Sequence, residues 1–125
     1  MQKLQFEASW DKALSKKDRV MIEELFESTK EPATEPIRFT PIWEAENYKK
    51  ELLITVLIHN FTETDLNFID AKLRYDAGQE QFAEHTFNLP NVTVPSSCSM
   101  PWTFIFPADA RERVAKPENG KLTYV

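Results

Sequence analysis

The stretch Lys50-Glu-Leu-Leu-Ile-Thr-Val-Leu-Ile-His59 decides the fold, because it is the strongest strand pattern in the chain. One face carries apolar residues at every second position: Leu52, Ile54, Val56 and Ile58. The opposite face is also partly apolar, through Leu53 and Leu57. A strand that is apolar on both faces is covered on both faces, as happens inside a layered structure. The segment therefore predicts a central strand.

Further strands are predicted on both sides of this segment. They cover 37–43, 66–75, 81–89, 102–106 and 122–125, with 90–101 irregular apart from a short strand at Val92 and Val94. Pro41 interrupts the first of them, which is typical of an edge strand or a bulge. Asp76–Gln79 is predicted as a hairpin turn, because Gly78 can adopt the positive φ that such a turn needs.

Alternation of apolar and polar residues assigns the inward faces of these strands. In 66–75 the predicted inward residues are Ile69, Ala71, Leu73 and Tyr75, with Asp70, Lys72 and Arg74 facing outward. In 81–89 they are Ala83, His85, Phe87 and Leu89, and in 102–106 they are Trp102, Phe104 and Phe106. Strands of this kind are half-buried and antiparallel.

One helix is predicted from Lys16 to Thr29. Ser15 and Asp18 have the spacing of a capping box, in which the serine accepts from a free backbone amide of the first turn. Apolar pairs at i,i+4 place one stripe inward. The acidic residues off that stripe are predicted to form a solvated face rather than a docking site: Glu23, Glu24 and Glu27. Two prolines in 31–36 end the helix.

These elements predict a mainly β protein of immunoglobulin-like type, an antiparallel β-sandwich with an N-terminal helix. The strands recur about every ten residues and do not alternate with helices. We expect one domain over 1–125, because 125 residues are one domain's length. The helical lead-in and connector occupy 1–36, and the sandwich occupies 37–125.

Composition excludes several classes of function. Fifteen Lys and Arg against twenty Asp and Glu give a net charge of −5, which argues against a general nucleic-acid binder or a binder of anionic lipids. With two glycines, no glycine-rich phosphate loop can be written. No signal peptide or membrane-spanning run is visible, so a cytoplasmic location is expected.

The nucleophilic and titratable residues give no catalytic signature. His59 and His85 lack the spacing of metal ligands, and hydrogen-bonded structural roles are expected for both. Cys98 has no histidine partner visible in the sequence to lower its pKa. We therefore predict no catalytic residue, no cofactor-binding residue and no metal ligand. A small hydrolase that uses His59 or His85 with a nearby acid is the least favoured alternative.

Aromatic residues are the chain's most unusual resource, with fifteen Phe, Trp and Tyr. Most are expected in the core. The facing of four is ambiguous, and these are the candidates for partner binding: Trp43, Phe61, Phe82 and Trp102. A core position is the competing interpretation for each of them. Exposed aromatic residues near strand edges are typical of partner-binding surfaces.

The chain resembles the SLAP domain family, known from accessory Sec system S-layer assembly proteins of Bacillus-type Firmicutes. The segments that carry the resemblance are Trp10–Ser15, Val56–Asn60, Phe68–Arg74, Phe82–Phe87 and, most specifically, Met100–Phe106. The chain departs from the family pattern at His59, where arginine is expected, and in a connector that lacks glycine. The resemblance implies a small β-sandwich without catalytic residues or cofactor.

The resemblance and the residue pattern together favour a non-enzymatic protein-interaction module, an accessory factor in protein export or in cell-envelope and S-layer assembly. A partner segment is expected to dock along an open sheet edge or an aromatic patch. Export machinery or an envelope protein is the expected partner, and a homodimer through sheet edges is a further expectation. The alternative is a small-ligand or carbohydrate-binding sandwich that stacks its ligand on Trp43 or Trp102.

Overall fold

The computed structural model describes residues 1–112 and 120–125. In chain order the elements are β1 (Lys3–Leu4), α1 (Ala8–Ala13), α2 (Lys16–Thr29), β2 (Ile37–Glu46), β3 (Leu52–Asn60), β4 (Leu66–Ala77), β5 (Glu80–Val94), β6 (Cys98–Phe106), a short 3₁₀ turn (Ala108–Ala110) and β7 (Gly120–Tyr124). The mainly β prediction is confirmed. The helix predicted over 16–29 is confirmed with both of its ends.

Two sheets face each other as a sandwich. The first has the strand order β1-β6-β3-β2 and the second has the order β5-β4-β7. All pairs are antiparallel except the short parallel pair of β1 with β6. The central position predicted for 50–59 is confirmed, since β3 lies between β6 and β2. Its residues Leu52, Ile54, Val56 and Ile58 belong to the core between the sheets.

The outer face of the four-stranded sheet carries the helices. Leu57 points to this side and is fully buried in a second apolar cluster with Ile22 and Phe26 of α2. Trp10, in α1, packs against the same cluster. The predicted cap is confirmed, because the Ser15 hydroxyl accepts from the Asp18 amide at 3.1 Å. Glu23, Glu24 and Glu27 are exposed, which agrees with a solvated face.

Strand β2 is an edge strand with a bulge, as Pro41 predicted. Its register against β3 shifts between Pro41 and Trp43. The Phe61 amide donates to the Pro36 carbonyl at 2.9 Å, which makes this pair a hydrogen-bonded one. Hydrogen-bonded and non-bonded pairs alternate along an antiparallel ladder. Pro41 therefore falls on a non-bonded position, where its missing N–H removes nothing from the ladder with β3.

The prediction that Ile69 faces inward is wrong. A bulge lies between Phe68 and Ala71, where Asp70 has a φ of +51° and its amide donates to Asn88 Oδ1 at 2.8 Å. The bulge resets the alternation. Phe68 is buried in place of Ile69, which is 56% exposed, while the inward positions of Ala71, Leu73 and Tyr75 are confirmed.

The prediction of irregular chain within 90–101 is also wrong, whereas the strand expected at Val92 and Val94 is confirmed as the end of β5. Strand β5 continues to Val94, and β6 already begins at Cys98, so only three residues separate them. Two of the three prolines of this region, Pro90 and Pro101, are accommodated within strands, and Pro95 lies between the strands. The main-chain nitrogen of Pro101 points away from β3. Ser99, two residues earlier, accepts from the Gln5 amide on that side, and residues two apart in a strand point their main-chain groups to the same side. The predicted turn is confirmed, with Gly78 at a φ of +64°.

Gly120 gives a direct test of the packing between β7 and the core. A Cβ atom at this position would overlap the ring of Tyr75, a fully buried residue whose hydroxyl donates to Glu44 Oε2 at 3.1 Å. We expect Gly120→Ala to lower the free energy of unfolding by about 1–3 kcal/mol, because overpacking forces neighbours to move. Urea denaturation at neutral pH measures this change in the free energy of unfolding.

The matched control is Gly78→Ala, whose added Cβ meets no atom but sits at positive φ. Its expected cost is about 1 kcal/mol. Equal stabilities of Gly120→Ala and the unchanged chain would contradict the packing described for Tyr75.

Candidate functional site

The four aromatic candidates do not form one surface. Trp43 is 39% exposed and pairs with Thr55 on the outer face of the four-stranded sheet. Trp102 pairs with Val56 and packs, partly buried, against the core between the sheets. Phe82 belongs to the other sheet and is 5% exposed. Its core position is the competing interpretation named above, and it places Phe82 beyond the reach of a partner in this structure.

Phe61, the fourth candidate, belongs to a cluster around His59. Its ring stacks on the imidazole with centroids 5.4 Å apart, and the Arg38 guanidinium lies 4.9 Å from its centroid. Phe61 is half-buried by these contacts. Phe61 therefore covers His59 and Arg38, and part of its ring remains exposed to solvent.

His59 is fully buried between the sheet and helix α2. Its Nδ1 lies 2.6 Å from Ser99 Oγ, and its Nε2 lies 2.8 Å from Thr29 Oγ1. The prediction of a hydrogen-bonded structural histidine at the strand end is confirmed. Phe26 of α2 stacks on the face of the ring as well, at 6.2 Å between centroids.

The hydrogen bonds around His59 have one consistent direction. The single proton of the Thr29 hydroxyl goes to the Leu25 carbonyl at 2.7 Å, so Thr29 Oγ1 accepts from His59 Nε2–H. Nδ1 is then the acceptor, and the Ser99 hydroxyl donates to it. Ser99 Oγ in turn accepts from Gln2 Nε2 at 3.1 Å. A neutral imidazole thus satisfies every group in the chain.

A protonated imidazole does not fit this arrangement. It would carry a second N–H toward Ser99, whose hydroxyl already donates there, and would bury a positive charge. Burial, with a smaller repulsion from Arg38, lowers the pKa of His59 to about 4. The Arg38 guanidinium is held in turn by Glu35 and by the carbonyls of Thr29 and Glu31.

The pair Ser99–His59 has the distance of a nucleophile and its base, but not the access. Both residues are 0% exposed, so no substrate reaches the hydroxyl. The second ring nitrogen faces a threonine, whereas a catalytic histidine is oriented by a carboxylate or an equivalent group. Cys98 is buried next to Ser99. His85 is half-buried and its ring meets the Phe87 ring edge-on at 4.9 Å.

No metal or membrane site emerges from the part of the chain that the structure describes. Within it, no three His, Cys, Asp or Glu side chains come together in a way that could hold an ion. None of the helices in 1–112 has both the length and the apolarity to cross a membrane.

A cleft of about 460 Å³ opens between the outer edges of β2 and β7, with which no other strand of residues 1–112 and 120–125 pairs. Its walls are apolar: Ile37 and Phe39 from β2, Leu122 and Tyr124 from β7. The Phe39 and Tyr124 rings are in contact, with centroids 5.4 Å apart. Glu35, Arg38 and Lys121 form the polar rim. Pro41 had marked β2 as an edge, but no sequence signal indicated that β7 would lie beside it, because this proximity arises only when the sheets pack.

Fold and site together define a small β-sandwich domain with a helical layer on one sheet and an open cleft at one pair of edges. Residues 4–122 match the SLAP domain family, which is nearly the whole chain. The chain belongs to the SLAP domain family, as its resemblance indicated. Searches of the curated proteins and of the solved structures gave no significant match.

The lowered pKa of His59 predicts a stability that depends on pH. The unfolded chain takes up a proton near the ordinary pKa of 6.5, whereas the folded chain resists it down to about 4. Stabilisation is therefore complete above pH 6.5 and is lost as the pH falls from 6.5 toward 4. The loss is on the order of 3 kcal/mol. Urea denaturation across this pH range measures it.

His59→Gln is the control, since glutamine cannot titrate. It should be less stable than the unchanged chain at neutral pH, and the difference between the two should shrink as the pH falls toward 4. A difference that stays constant with pH would show that His59 is not buried in its neutral form.

Proposed function

We propose that this domain is a non-enzymatic protein-interaction module that serves protein export or cell-envelope and S-layer assembly from the cytoplasm. Membership of the SLAP domain family carries the proposal. Its partner is a protein, either part of the export machinery or an envelope protein, and not a nucleic acid. The acidic balance of the chain, a net charge of −5, supports that choice.

Burial of the reactive side chains supports a function without catalysis. His59 and Ser99 are 0% exposed, and Cys98 is 5% exposed. The hydrogen bonds that link Ser99 and His59 to α2 are completed within the protein. These two residues stabilise the attachment of α2 to the sheet, and Cys98 belongs to the core between the sheets, so the surface is left to carry the function.

Affinity capture of the tagged chain from the cytosol of its host tests this proposal, with mass spectrometry as the readout. We expect an export ATPase or an envelope protein to be enriched over a tag-only control. The purified partner should then bind the purified chain directly. A buried-site control, Phe82→Leu, should leave capture unchanged because Phe82 lies in the core.

Capture of no protein other than the chain itself would contradict the export role. Light scattering of the purified chain then decides whether self-association through sheet edges takes its place.

Exposure of Trp43 favours a second function, binding of a carbohydrate. Its indole lies on the outer sheet face and is 39% exposed, so part of the ring is open to stacking. Ile105 is a second exposed apolar residue on this face, where it pairs with Leu53 on β3 and is 46% exposed. An apolar platform of this kind suits the flat face of a sugar ring.

Isothermal titration calorimetry with cell-wall polysaccharide tests the second function. Binding that is lost in Trp43→Ala and kept in Trp43→Phe would support it, because phenylalanine retains a stacking face. Binding that persists in Trp43→Ala, or no binding by the unchanged chain, would contradict it.

A further inference from the structure

We propose that the cleft between β2 and β7 binds an extended, largely apolar peptide segment with an acidic residue, which adds as a short strand along Ile37–Thr40. This inference rests on the proposed interaction function and names its site and its ligand chemistry.

The main chain of β2 sets the direction of binding. Because Pro36 and Phe61 form a hydrogen-bonded pair, the bonded positions that follow are Arg38 and Thr40, opposite His59 and Leu57. The N–H and C=O groups of Ile37 and Phe39 therefore point away from β3, toward the cleft. No strand in residues 1–112 or 120–125 pairs with this edge.

The main chain of β7 likewise presents outward-facing N–H and C=O groups, on the other wall of the cleft. The Val125 amide donates to the Lys72 carbonyl at 3.0 Å, so Thr123 and Lys121 bond to β4. The polar groups of Leu122 and Tyr124 face outward. No described strand pairs with the outer edge of β7 either.

Exposure decides which of these outward-facing groups a peptide can reach. Ile37 is half-buried and Tyr124 is 43% exposed, whereas Phe39 is 8% exposed and Leu122 is 2% exposed. The reachable main-chain groups therefore begin at Ile37, on the edge of β2. An added strand supplies donors and acceptors at the matching spacing, which is how open edges recognise extended peptides.

Side chains of the cleft determine what the peptide carries. Ile37, Phe39, Leu122 and Tyr124 give apolar walls, which suit apolar side chains at alternate positions. The volume of about 460 Å³ lies within the range of ligand-binding clefts. Pro41 and the bulge after it end the regular edge, so the added strand is limited to the segment before them.

Charge on the rim supplies the last element of specificity. Arg38 is held by Glu35 and by two main-chain carbonyls, and its hydrogen bond lowers the pKa of Glu35. Lys121 is exposed and forms no salt bridge among the described residues, although its charge also helps to lower the pKa of Glu35. The rim thus has one cation in excess, in a chain whose net charge is −5. A carboxylate on the peptide complements it.

Selection of a random octapeptide library on the intact chain tests the proposal. Selected peptides should alternate apolar residues and include Asp or Glu. Amide resonances of Ile37, Phe39, Leu122 and Tyr124 should shift when a synthetic copy of the best peptide is titrated in.

Two matched pairs of variants locate the binding. Ile37→Pro removes an N–H that points into the cleft and is not part of the ladder with β3, whereas Ile37→Ala keeps that N–H and loses the same side chain. We expect Ile37→Pro to bind the peptide about tenfold more weakly than Ile37→Ala. Lys121→Glu should weaken binding about fivefold, and Lys3→Glu, at the distant exposed strand β1, should leave it unchanged.

Equal affinity of Ile37→Pro and Ile37→Ala, with both folded by circular dichroism, would overturn strand addition at β2. If Ile37→Pro does not fold, equal affinity of Lys121→Glu and Lys3→Glu overturns this cleft as the place where the peptide binds. A library that yields no peptide overturns the cleft as a peptide site. Peptides that shift the resonances of Trp43 and not those of the cleft residues refute this inference alone. The proposed interaction function is then retained.

Discussion

The chain of hydrogen bonds through His59 is the constraint on which the rest of the structure depends. It begins at Gln2, passes through Ser99, His59 and Thr29, and ends on the carbonyl of Leu25. The N-terminal segment, β6, β3 and α2 are all tied to this one imidazole. Because each hydroxyl has a single proton, the chain closes only when the imidazole is neutral. Buried polar networks of this kind fix one arrangement when every member is satisfied.

Arg38 connects this buried network to the open edge of β2. Its guanidinium donates to the carbonyls of Thr29 and Glu31 at the end of α2, and it covers the ring of Phe61. The same residue belongs to the rim of the cleft. One side chain thus contacts both the end of α2 and the rim of the cleft, so the contacts that fix the helix also fix the position of the cleft rim.

Sequence periodicity predicted the elements well where side chains alternate without interruption. The pattern of 50–59 identified β3 and its central position, and Pro41 identified an edge with a bulge. Periodicity failed at Ile69, because the bulge at Asp70 adds one residue to β4. The residues before the bulge therefore face the opposite side from the one that alternation predicts. Periodicity failed again at 90–91 and 98–101, where irregular chain was predicted although these residues belong to β5 and β6.

The cleft was beyond prediction for a different reason. Periodicity identifies the faces of a strand but not its neighbours, and the cleft exists because β2 and β7 end their separate sheets on the same side of the sandwich. Eighty or more residues separate Phe39 from Leu122 along the chain. The burial of Phe82 has a local origin instead, because the register of β4 against β5 shifts between Tyr75 and Asp76 and both Phe82 and Ala83 are buried there. Long-range packing thus decides which apolar residues are available to a partner, and it leaves the outer edge of β2 without a paired strand among residues 1–112 and 120–125.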